Sequence, residues 1–190
     1  MWCHRAMTIA LSRPSIDLFD SWAAAVAEFE GGHIAGGGIE KGFVPDRAAF
    51  EEFVERAELY ATPGAELPEG HVPCDYYWIT EGDHVVGFLS FRRELNDHLR
   101  RFGGHIGYSV IPTRRREGIV REALRLMLRA AKADGYDRVM LTCDDDNIGS
   151  IRTIEGAGGE LEDVIDAPEA GQPLVRRYWI DVSGTRLAAS

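Results

Sequence analysis

Residues 112–124, PTRRREGIVREAL, place three consecutive arginines, Arg114, Arg115 and Arg116, directly before the first turn of a helix. A helix N-terminus already carries partial positive charge on its unpaired N–H groups and favours acidic neighbours, so the cluster opposes it. An anion held at that turn would reverse the balance. Gly118 allows close backbone approach, a strand-to-helix turn aims several N–H groups in one direction, and a guanidinium adds charge-assisted bonds to phosphate oxygens. The plainer alternative is solvated arginines screened by Glu117.

Outward from this turn, GHIGYSVIP (104–112) reads as a strand ending at a proline. The helix after the turn has Val120, Ala123, Leu124, Met127, Leu128 and Ala131 on one side, charged residues on the other, and Gly135 as a stop. DRVMLTC is a strand with Val139, Leu141 and Cys143 alternating, and DDDN leads into a short helix capped by Asp146 or Asn147. GGELEDVI and PLVRRYWIDV close as a strand pair. Upstream, YYWIT, EGDH and VVGFLSFRREL make an antiparallel hairpin. Residues 15–30 have a helical apolar spacing with Ser15 or Asp17 as cap, Pro45 opens a second helix through Tyr60, and GGHIAGGGIEKG (31–42) between them reads as a mobile loop. The class is mixed α+β, a mostly antiparallel sheet with a central β-α-β unit, a partly parallel seam and flanking helices. One domain spans 1–190, with helices and loops at 8–75 and the sheet core at 76–183. Met1 and Met7 are both candidate starts.

The composition, 45% hydrophobic and 27% charged over 190 residues, is that of an ordinary globular chain. A net charge of −10 argues against nucleic acid as a partner. No apolar run is long enough to cross a bilayer, and the first residues lack the apolar core of a secretory signal, so no membrane partner and the cytoplasm are expected. Cys3, Cys74 and Cys143 are too widely spaced for a disulfide framework or zinc site, and the histidines show no metal spacing, so no metal is expected.

With its context, the turn resembles the acyl-CoA-binding signature of the GNAT superfamily of N-acetyltransferases, Q/R-x-x-G-x-G/A, as Arg115-x-x-Gly118-x-Val120. It looks most like a branch marked by Arg93-Glu94-Leu95-Asn96, GGHIGYSV (103–110), LTCDDDN (141–147) and Gly158-Gly159. The resemblance implies acetyl-CoA as cosubstrate, with its pyrophosphate on Arg115, Arg116, Glu117, Gly118, Ile119, Val120 and Arg121. It implies that the pantetheine arm pairs with Val110 in a split between two strands and runs toward Asn147. The implied activity is acetyl transfer to a primary amine of a small molecule or an amino terminus, by direct attack in a ternary complex. Dimerisation is common in the superfamily, so a homodimer is among the expectations, though no residue here specifies it.

Two positions depart from the pattern. Val120 replaces a Gly or Ala and keeps its N–H. Ile154 stands where many family members carry a tyrosine acid, and the competing reading, a CoA-binding sensor or interaction module with little catalysis, rests on it. An amine must lose a proton before attack, and a backbone N–H, by resemblance that of Val110, polarises the thioester. Glu94 and His105 are the candidate bases. Glu94 is set against a surface carboxylate paired with Arg92 or Arg93, and His105 against a hydrogen-bonded structural histidine. Tyr108 is a candidate phenolic acid, on the opposite side of the strand from His105. Cys143 reads as a small core residue. Acceptor recognition is expected from the N-terminal helices and the 31–42 and 61–75 loops.

Overall fold

The computed structural model describes residues 8–168 and 174–184; Met1, Cys3, His4 and Met7 lie outside the described residues. The described chain opens with a strand that the sequence reading passed over, β1 (Ile9–Ser12), whose four residues are too few to display a period. It pairs antiparallel with β2 (Cys74–Glu81), Ile9 opposite Glu81. A short 3-10 turn whose Ser15 Oγ accepts from Asp17 N–H leads into α1 (Phe19–Ala27). Asp46, one residue after Pro45, caps α2 (Arg47–Ala61) by accepting from Ala49 N–H at 2.8 Å. The two helices meet the sheet through a continuous aromatic cluster. Trp22 lies 4.8 Å from Phe50, ring to ring, and Phe50 stacks at 5.9 Å on Trp78, all three essentially without solvent contact.

The expected hairpin is present as β2 and β3 (His84–Arg92), and β4 (Ile106–Val110) completes an antiparallel sheet of order β1-β2-β3-β4. A six-residue helix, α3 (Asp97–Phe102), interrupts the chain before β4; its cap Asn96 lies inside the motif that the sequence reading treated as a strand end. Helix α4 (Ile119–Ala133) then crosses to β5 (Arg138–Asp144). Ile119, Ala123, Leu124, Met127, Leu128 and Ala131 are buried along it, so the stripe begins at Ile119 and Val120 is turned partly outward. After α5 (Ile148–Gly156), β6 (Gly159–Asp166) and β7 (Leu174–Asp181) join β5 in a second antiparallel sheet of order β5-β7-β6.

The β-α-β order suggested a parallel seam between β4 and β5. Instead, every strand ladder among the described residues is antiparallel, and β4 and β5 belong to different sheets. They are pinned at one end only. Gly104 bridges Leu141, His105 N–H donates to Met140 O at 2.7 Å, and Met140 N–H donates to His105 Nδ1 at 2.9 Å. The imidazole thus takes the place of a backbone carbonyl, and beyond it the strands separate.

The 31–42 loop is also different from its sequence reading. Ile34 and Ile39 are buried, Ser109 Oγ donates to Ala35 O at 2.9 Å, and Gly36 sits against β4 so closely that a Cβ there would lie 2.3 Å from Gly107 O. The glycines serve close packing of this loop on β4. Gly36→Ala should lower stability in urea titration by about 2 kcal/mol or more, because it adds a clash to a positive φ. Gly42→Ala, with a similar φ but no atom near its Cβ, should cost only about 1 kcal/mol; equal costs would show that the close approach is unimportant.

Burial, reinforced by Arg100 and Arg92, lowers the His105 pKa to about 4. The unfolded chain therefore binds a proton below about pH 6.5 that the folded chain refuses, and stability present above that pH is lost as pH falls toward 4. His105→Gln should flatten this part of the pH dependence of Tm; an unchanged slope would contradict the assignment.

Candidate functional site

The gap between β4 and β5 opens into two adjoining cavities. One, of about 950 Å³, is lined by Val110, Arg115, Arg116, Glu117, Gly118, Ile119, Val120, Arg121 and Asn147, so all nine residues assigned to cofactor binding from sequence come together on one surface. The local backbone explains how. Gly118 caps α4 with φ 81°, with no side chain closing the helix end, and Arg116 also takes a left-handed φ of 68°. A non-glycine residue there is held against a cost of about 1–2 kcal/mol. The first N–H groups of α4 have no acceptor within the helix and open on the cavity.

The three arginines divide their work. Arg114 is tied to Glu81 at 3.2 Å and to Glu117 at 2.7 Å, so one positive charge is already matched and Glu117 is engaged by it. Arg115, Arg116 and Arg121 line the cavity and form no ion pair with any described residue. Arg152 of α5 joins them on the wall, a residue that the sequence reading missed because it lies far from the signature in the chain. The helix end, the free N–H groups and the guanidiniums all favour one bound polyanion.

Val110 contributes backbone. Ile111 N–H donates to Val86 O at 3.0 Å, one residue beyond the Gly87 and Val110 partner pair. That pair is therefore of the non-hydrogen-bonded kind, and Val110 turns its N–H away from β3, toward the gap. Asn147 Oδ1 accepts from Ser150 N–H at 3.1 Å and so caps α5, leaving its amide NH₂ for the cavity it lines.

The second cavity, of about 740 Å³, is walled by the glycine loop from His33 to Glu40, by Arg56 and Tyr60 of α2, by His71, and by Tyr76, Ser90 and Arg92 of the hairpin. Both volumes fall within the roughly 300–1,000 Å³ of small-molecule sites. His33, Ala35, Tyr108, Asp144, Asn147 and Ser150 line both cavities and form their common wall.

The two candidate bases are not on this wall. Glu94 is exposed in the bend after β3 and lines neither cavity. Its expected partners are engaged elsewhere, Arg93 with the buried Asp75 at 2.7 Å and Arg92 with the carbonyls of Gly103 and Gly104. His105 lines neither cavity, because its ring turns into the seam to hold Met140. Tyr108, on the opposite side of the strand, does reach the wall. Its hydroxyl is buried and makes no hydrogen bond of normal geometry; burial raises its pKa to about 12, a looser contact with the Ser150 side chain lowers it, and Cys143 adds to the rise. Cys143 is a buried thiol pushed up to about 11, mainly by burial, which leaves it protonated and unsuited to carry an acyl group. Ile154 is in the core, 1% exposed.

Sequence reading missed Asp144. The run of three aspartates looked like a capping turn, which Asp145, paired with Arg176 at 2.7 Å, and the cap Asn147 largely satisfy. Asp144 itself is half-buried on the common wall. No cluster of metal-ligating side chains occurs among the described residues, and none of their helices is long and apolar enough to cross a membrane.

The family model described as acetyltransferase (GNAT) family matches residues 41–158. A search of curated proteins found no match. Among solved structures, the microcin C7 self-immunity acetyltransferase MccE in complex with acetyl-CoA and AMP is similar at TM-score 0.70 and 20% identity, over 91% of this chain and 92% of that one. The ribosomal L7/L12 α-N-protein acetyltransferase RimL in complex with CoA is similar at TM-score 0.70 and 18% identity, over 94% and 97%. RimJ from Mycobacterium smegmatis, bound to a CoA disulfide, gives TM-score 0.71 and 15% identity over 96% and 85%. At these identities the structures establish the fold, while the family match spans more than half of the sequence: the chain belongs to the acetyltransferase (GNAT) family.

Proposed function

We propose that this protein is an acetyl-CoA-dependent N-acetyltransferase acting on a primary amine of a small molecule or an amino terminus, by direct attack within a ternary complex. The observation that carries the reading is the common wall: a polyanion-binding cavity and a second, mixed-polarity cavity meet at six shared residues. Two substrates held from opposite sides would react there without an enzyme-bound acyl group. The solved neighbours that hold acetyl-CoA or CoA support the choice of ligand for the first cavity.

This chain's residues supply four things. The α4 N-terminus with Arg115, Arg116, Arg121 and Arg152 holds the pyrophosphate end. Val110 N–H, facing the gap, hydrogen-bonds the thioester carbonyl and strengthens as charge develops on that oxygen. Tyr108 retains its proton at neutral pH and offers an O–H that lacks an acceptor, which a leaving thiolate at the common wall would provide. The glycine loop, Arg56, Tyr60, His71 and Tyr76 line the side from which the amine enters.

The burial of Ile154 at the position of the family's tyrosine is what favours a CoA-binding protein with little catalysis, and one experiment separates the two readings. Gly118→Trp meets no atom at its Cβ and carries only the strain of its positive φ, about 1–2 kcal/mol, so it should fold, yet fill the turn. Calorimetry should show CoA bound by the parent protein and at least a hundredfold weaker by this variant. The parent should release free thiol from acetyl-CoA only when an amine is added. Unchanged affinity in the variant would refute the site, and tight CoA binding without amine-dependent thiol release would refute the transferase.

A further inference from the structure

On the transferase reading above, the remaining question is what takes the proton from the amine. We infer that Asp144 is that group: at the end of β5 it is the acidic residue that lines both cavities, and its carboxyl lies within electrostatic reach of His33 on the same wall. The other carboxylates nearby are spent or misplaced. Asp145 is paired with Arg176, Glu117 with Arg114, and Asp146 is exposed and lines neither cavity. Glu40 lines the acceptor cavity but not the wall it shares with the cofactor. Asp144 has no side-chain hydrogen bond or ion pair with any described residue, so its oxygens are available to a ligand.

Its surroundings suit the task. The charged groups that act on it are Asp146 on the same turn and His33 from the glycine loop, Cys143 precedes it in β5, and Tyr108 of β4, the cap Asn147 and Ser150 of α5 line the same wall. Burial, with help from Asp146, raises its pKa above the ordinary carboxylate value, and His33 partly opposes the rise. A raised carboxylate beside a desolvated ammonium narrows the gap in basicity that the transfer must cross. In the step, the ammonium nitrogen gives one proton to Asp144 and its lone pair forms the N–C bond. The C–S bond then breaks with its electron pair going to sulfur, and the second nitrogen proton ends on the thiolate by way of the wall hydroxyls. Asp144 returns its proton to solvent on the exposed His33 side.

The test uses the full chain with acetyl-CoA, a panel of α-amino and alkyl amines, and thiol release from pH 5.5 to 9. Asp144→Asn should lower kcat by about a hundredfold or more and leave the CoA dissociation constant within about twofold. Asp144→Glu should recover part of the rate, and Asp145→Asn, the next residue, which lines neither cavity, should retain most of it. An active parent protein whose Asp144→Asn variant keeps a third or more of its kcat would overturn the assignment while leaving the transferase reading intact. Loss of CoA binding in Asp144→Asn, or an equal loss of rate in Asp145→Asn, would also overturn it, since both assign the effect to the turn. A parent protein with no amine-dependent thiol release would overturn the transferase reading, and this assignment with it.

Discussion

The paired hydrogen bonds between His105 and Met140 are the constraint on which the site depends. Strands β4 and β5 are brought side by side by the α4 crossover and would gain a ladder by pairing throughout. They are joined only at one end, where a buried imidazole accepts the Met140 N–H that a strand carbonyl would otherwise take. Past that point their edges face a gap, and Val110 N–H and the end of β5 face it too. Unpaired strand edges are normally a liability, managed by covering or occupation. Here the ligand proposed for the gap would be the missing edge partner.

The same logic of deferred pairing accounts for the arginine cluster. Arg114 is neutralised by Glu81 and Glu117, so its role is to fasten the turn to the end of β2. Arg115 and Arg116 remain with no ion pair among the described residues, on a turn that includes a left-handed Arg116 and ends in the uncapped Gly118. The local charge is unfavourable for the bare helix end and favourable for a bound anion, which ties the stability of the turn to occupancy.

Much of this was legible in the sequence because it is local. The signature turn, the amphipathic α4, the cap before α5 and the hairpin all declare themselves within a dozen residues, and all nine residues assigned to the cofactor from the sequence line one cavity. What was not legible is what depends on distant partners. Strand β1 is defined by pairing with β2, and the glycine loop is held by Gly107 and Ser109, more than sixty residues away in the chain. Glu94 and His105 carry suitable chemistry, but one faces solvent and the other the seam. Asp144 was hidden among three consecutive aspartates, and only the fold separates the one on the common wall from its paired and exposed neighbours.

On the proposed reading, the α4 turn and the β4–β5 gap hold one extended ligand whose reactive end lies at the wall that the two cavities share. A crystal structure of the full chain with CoA tests it most directly. The pyrophosphate should lie against the N–H groups of residues 116–121, the pantetheine arm along Val110 in the open seam, and the sulfur beside Tyr108 and Asp144. CoA bound outside the seam, or a sulfur remote from that wall, would contradict it.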